Sequence, residues 1–119
     1  MTLTFGQAFQ HTVDTNGRVP AEVPQIDGPI VVLRELDYWN GPAIFRTVVA
    51  GVPAIAWWVS DSLDSPSRSY LVVAHAEIDA IPDDLAGWTW EYNPFSAFQV
   101  TGWIAEDQLT YPENTASTP

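Results

Sequence analysis

From Ile30 onward the chain is a succession of short runs rich in branched and aromatic residues: IVVLREL, AIFRTVVA, AIAWWVS, SYLVVAHA, GWTWEYN and AFQVTGW. Runs of this length and composition read as strands. Turn-like pieces separate them: DYWNGP, GVP, DSLDSPSR, IPDDLAG and NPFS. Asn40-Gly41 is a hairpin-turn candidate between the first two strands, because both residues tolerate positive φ. GWIAEDQL closes the domain, either as a strand end and turn or as a last helical turn.

Only one stretch carries a helical signature. Thr4 followed three residues later by Gln7 matches a capping box. Behind it Phe5, Ala8, Phe9, Thr12 and Val13 recur at helical spacing, and Asn16-Gly17 supplies a stop. The spacing predicts a helix over residues 5–15. RVPAEVPQIDGP then holds three prolines and a glycine, so it runs extended. The expected fold is α+β: one short N-terminal helix packed on an antiparallel sheet of about five or six strands. Residues 1–109 form a single domain, and 110–119 a disordered polar tail.

Alternation sets which rings share a face. In GWTWEYN, Trp88, Trp90 and Tyr92 lie on one side of the strand. Adjacent Trp57 and Trp58 point to opposite sides. One helix covers only part of such a sheet, so the other face needs water, a second subunit or a ligand. With six tryptophans, a homo-oligomer is the simplest cover.

Composition removes several function classes. At 119 residues the chain is long enough for a hydrophobic core, and it has no cysteine, hence neither a disulfide framework nor a thiolate zinc site. It also has no lysine, which excludes Schiff-base chemistry and a P-loop phosphate cradle. No apolar run suffices for a membrane-spanning helix and no secretory leader is visible, so the expected location is the cytoplasm, the host's if the chain is phage-encoded. The net charge is −11, and residues 61–119 hold ten acids against one arginine. Such a field repels nucleic acid and anionic membranes and attracts basic protein surfaces.

Catalysis finds little support: no serine–histidine–acid signature and no glycine-rich nucleotide loop is present. The reading is a protein that is not an enzyme and carries no cofactor. On a continued strand His75, Glu77 and Asp79 would share one face, a geometry open to a divalent cation. The spacing matches no recognised metal motif, and the apolar alternation of Tyr70, Val72, Ala74, Ala76 and Ile78 marks the acidic side as the wet one. A separate possibility is a row of carboxylates spaced like DNA phosphates: Asp61, Asp64, Glu77, Asp79, Asp83 and Asp84. Such a face would block a nucleic-acid-binding protein, with a basic host defence protein as partner.

Four fragments occur in one order: TFGQAF opening the helix, NGRV closing it, YWNG after a strand, and IAED near the end. Together they resemble the small phage family of unknown-function domains that includes the Thoeris anti-defence two proteins. The resemblance implies an oligomeric α+β sponge that sequesters a nucleotide second messenger, a cyclic ADP-ribose isomer, without hydrolysing it. On that reading Phe5 or Trp39 stacks the adenine and Asn40 hydrogen-bonds its edge or a ribose hydroxyl. Arg18, Arg34 or Arg46 meets the pyrophosphate, and Asp107 belongs to the closing motif. The leading function is thus counter-defence by nucleotide sequestration. The alternative is the acidic nucleic-acid mimic.

Overall fold

The computed structural model describes residues 3–15, 18–38, 42–61, 68–83 and 96–112. The expected strand GWTWEYN and the Asn40-Gly41 turn lie outside them. The helix forms as expected. α1 spans Phe5–Asp14, and its capping box is complete: Gln7 N–H donates to Thr4 Oγ1 at 3.1 Å and Thr4 N–H to Gln7 Oε1 at 2.9 Å. These bonds satisfy donors that a helix start otherwise leaves unpaired.

Five strands make one antiparallel sheet in chain order: β2 (Arg34–Tyr38), β3 (Pro42–Val49), β4 (Val52–Asp61), β5 (Arg68–Ala74) and β6 (Gly102–Ala105). A second, parallel pair joins β1 (Ile30–Val31) to β7 (Leu109–Thr110). The fold is α+β. β3 and β4 meet through Ala50-Gly51, with φ of 52° and 80°. That primed turn matches the right-handed twist of the flanking strands. IVVLREL splits, because its first residues leave for β1 and the rest form β2. Of AFQVTGW, only Gly102 and Trp103 are in β6. Residues 97–101 instead run past the helix start, with Val100 N–H donating to Leu3 O at 2.8 Å.

The sheet has a core on each side. Under α1 lie Phe5, Ala8, Ile44, Ile55, Trp57, Leu71 and Val73. Trp57 meets Phe5 edge-on at 5.8 Å between ring centroids. On the opposite side Phe45, Ala56, Tyr70, Val72 and Ile104 pack beneath Ile30 and Val32, with Leu109 and Ile26 at the margin. The second face, expected to need water, ligand or subunit, is therefore covered in large part by the chain itself. The proline-rich segment wraps around the sheet edge and delivers β1 to that side. Trp57 and Trp58 take opposite faces as alternation requires. Trp58 lies across the sheet from Trp57, with the Arg68 guanidinium carbon 4.3 Å from its ring centroid.

Two close contacts hold the wrap. Trp103 N–H donates to Pro24 O and Ile26 N–H to Trp103 O, each at 2.9 Å. The crossing is so near that a Cβ on Gly102 would sit 2.6 Å from Ile26 Cγ1 and 2.8 Å from Pro24 O. Only glycine fits there. Gln108 then ties the far end, donating from Nε2 to Ile26 O (2.6 Å) and Gly28 O (2.9 Å). Its Oε1 accepts from Gln25 Nε2 and Ala105 N–H. Thr110, assigned to the tail by the sequence, belongs to β7, and Tyr111 donates its hydroxyl proton to Glu35 Oε2 at 3.3 Å.

Tyr70 is fully buried, and its hydroxyl donates to Pro42 O at 2.6 Å. Burial pushes its pKa up to about 12, partly opposed by the hydrogen bond and positive charge of Arg68. An unfolded tyrosine ionises near pH 10. The folded state thus resists ionisation, so this stabilisation is complete below about pH 10 and is lost as pH rises toward about 12. The expected loss is about 2–3 kcal/mol from Tyr70. Tyr111, shifted upward by burial and by Glu35, acts in the same direction. Urea midpoints measured from pH 8 to 12 check this, and Tyr70→Phe should flatten most of the alkaline slope. An unchanged slope in that variant would refute the assignment.

Candidate functional site

Four arginines are the only lysine or arginine side chains in the molecule, and the fold commits three of them. Arg46, on β3 and only 15% exposed, donates Nε–H to Asp83 Oδ1 at 2.7 Å. Its two terminal nitrogens donate to Ile78 O and Ile81 O. Arg34 takes the other Asp83 oxygen at 2.7 Å. Arg68 is buried against Trp58 and donates to Pro42 O at 3.1 Å. Arg18 remains. It is exposed, and its guanidinium has no acidic partner among the described residues.

The local structure explains where Arg18 stands. α1 ends at Thr15, whose hydroxyl donates to His11 O at 2.7 Å and accepts from Arg18 N–H at 3.3 Å. The chain then bends through Pro20–Val23, where Val23 N–H donates to Pro20 O at 3.0 Å and the Val23 side chain enters the core. Arg18 and this bend form one wall of an open cleft of about 450 Å³. Ser69 of β5 and half-buried Trp103 of β6 complete it, with Val19, Pro20, Ala21 and Val23. No carboxylate is among the described residues that line it, in a chain of net charge −11. A cleft lined by an arginine, a tryptophan and apolar residues suits a ligand that joins an anionic group to a planar ring.

The sequence-derived site residues that are described stand in different surroundings. Phe5 is fully buried beneath the helix and cannot stack a ligand. Arg46 is occupied by Asp83 and two carbonyls. Asp107 is exposed on the 3-10 turn Glu106–Gln108 and does not line the cleft. Trp39 and Asn40 lie outside the described residues. Among the described ones, Arg18 lines the cleft.

The acidic row is also broken up. Asp83, one of its members, neutralises Arg34 and Arg46. Glu77 and Asp79 are exposed on the 3-10 turn Ala76–Ala80. Asp61 ends β4 opposite Arg68 in register, while Asp64 and Asp84 lie outside the described residues.

The shared face of His75, Glu77 and Asp79 does not form, because β5 stops at Ala74. His75 instead caps the 3-10 turn, its Nδ1 accepting from Glu77 N–H at 3.0 Å. That turn rotates Ile78 into the core beneath α1, away from Tyr70 and Val72. No cluster of three potential metal ligands exists among the described residues. The His75 ring stacks parallel on Phe98, 4.6 Å between centroids, beside a smaller cleft of about 360 Å³.

Ser69 and Trp103 were not identifiable from sequence as partners of Arg18. Each reads as an ordinary strand residue, and no spacing rule links positions so far apart in the chain. Among the described residues no helix is long and apolar enough to cross a membrane. Comparison with protein-family models, with curated proteins and with solved structures gives no match for this chain.

Proposed function

We propose that this protein binds and sequesters a small nucleotide-type ligand, with the Arg18–Trp103 cleft as its site. The observation that carries the reading is that Arg18, with no acidic partner among the described residues, shares one cleft with Trp103, and no carboxylate is among the described residues that line it. The guanidinium offers a planar pair of donors to a phosphate, and the indole offers a face or edge to a base. No step of bond chemistry is needed for such a role. A phage-type sponge for a nucleotide second messenger, the function implied by the resemblance, is the setting we assign.

The test is titration with cyclic ADP-ribose isomers and cyclic dinucleotides, followed by tryptophan fluorescence and by melting temperature. The expected result is a saturable fluorescence change with a melting temperature that rises with ligand. Arg18→Ala should weaken binding about ten- to a hundredfold, the loss of one charge-assisted contact, with melting of the free protein unchanged. The Arg18 side chain is exposed, and its bonds to Thr15 are made by the backbone, which alanine keeps. If no nucleotide shifts either signal, the reading fails. The acidic surface bearing Glu77 and Asp79 is then the one to test against basic host proteins.

A further inference from the structure

The cation count also bears on what kind of nucleotide the cleft selects, an inference that rests on the binding reading above. We propose that the cleft accepts one singly charged phosphate unit beside its base and discriminates against longer phosphate chains. One guanidinium neutralises one phosphodiester anion through two hydrogen bonds. A second or third phosphate would need another cation, and Arg18 is the one arginine among the described residues that line the cleft. Arg34 and Arg46 share Asp83, and Arg68 is buried against Trp58. There is no lysine. The helix start offers no substitute, because the Thr4–Gln7 capping box, Phe98 O and Ser96 O already occupy its N–H groups.

Every further ligand charge therefore faces the field of a chain with net charge −11. At moderate salt that field is screened over about 8–10 Å, but at about 10 mM salt it reaches about 30 Å. The discrimination is therefore electrostatic and salt-dependent. A pyrophosphate, with one unmatched charge, stands between the two extremes.

The probes are adenosine, adenosine 3′,5′-cyclic monophosphate and ATP without magnesium, titrated against the full chain at about 10 mM and about 0.5 M salt. The cyclic monophosphate is expected to bind about tenfold more tightly than adenosine, through Arg18. It should also exceed ATP by about tenfold at low salt, with the gap to ATP narrowing at high salt. In Arg18→Ala the advantage over adenosine should vanish. Equal or tighter binding of ATP at low salt overturns the selectivity and leaves the nucleotide reading intact. So does binding of cyclic ADP-ribose isomers or dinucleotides with none of the cyclic monophosphate. Adenosine binding as tightly as the cyclic monophosphate shows that Arg18 does not reach the phosphate, and the proposal falls. Silence from every nucleotide removes the nucleotide reading itself.

Discussion

Phe5→Ala is expected to cost about 3–5 kcal/mol of stability, the range for deleting a fully buried aromatic side chain. The ring has no exposed surface and lies 5.8 Å from both Phe9 and Trp57, centroid to centroid. Its loss leaves a cavity between α1 and β4 that the well-paired sheet cannot close by sliding. α1 also depends on this anchor. Ten residues make only a marginal helix in isolation, and most of the stability of such helices comes from the packed face. Phe5→Leu should cost considerably less, because it keeps much of the buried volume. Urea denaturation gives the numbers. A Phe5→Ala protein of normal stability that had lost ligand binding would contradict this placement and return Phe5 to a binding role.

Arg46→Ala is expected to cost about 2–4 kcal/mol, because three acceptors lose one charged donor together. Those acceptors are Asp83 Oδ1, Ile78 O and Ile81 O. The two carbonyls belong to the segment that follows β5, so Arg46 holds that segment against β3. Arg46→Lys should recover only part of the loss, since an ammonium group cannot present the same planar fork. Arg34→Ala is the matched control. Arg34 shares Asp83 but is mostly exposed, and an exposed pair contributes about 0–1 kcal/mol. Nucleotide affinity should be unchanged in both variants. A fall in affinity without a fall in the urea midpoint would show Arg46 to be a ligand contact after all.

Phe5 and Arg46 carry the chemistry of site residues, an aromatic ring and a cation. The same chemistry serves the interior equally well. A ring stacks on rings as readily as on a base, and a guanidinium binds carbonyls as readily as phosphate. Which use prevails depends on what surrounds the side chain, and for Arg46 that is a segment more than thirty residues later in the chain. For His75 the limit is the strand's length: β5 ends at Ala74, and the chain turns into a 3-10 helix capped by the histidine itself. A two-residue period holds only while the strand lasts.

Local chemistry was legible where neighbours in sequence are also neighbours in space. The capping box at Thr4 and Gln7 involves residues three apart, and α1 forms where that box and its apolar spacing place it. The opposed faces of Trp57 and Trp58 follow from the pleat alone. Antiparallel order from β2 to β5 follows from short runs separated by short turns, whereas β6 joins β5 only after residues 75–101. The composition settled in advance that no cysteine or lysine chemistry was possible. What the tertiary structure decided is how the proline-rich segment travels. It crosses Gly102, is tied by Gln108, and covers the sheet face that alternation had left bare. It also brings Arg18 to Trp103 while the other three arginines are drawn to Asp83, Trp58 and backbone carbonyls. Those pairings rest on contacts between residues far apart in the chain. Their free energy exists only once the sheet has closed, and no local pattern encodes it.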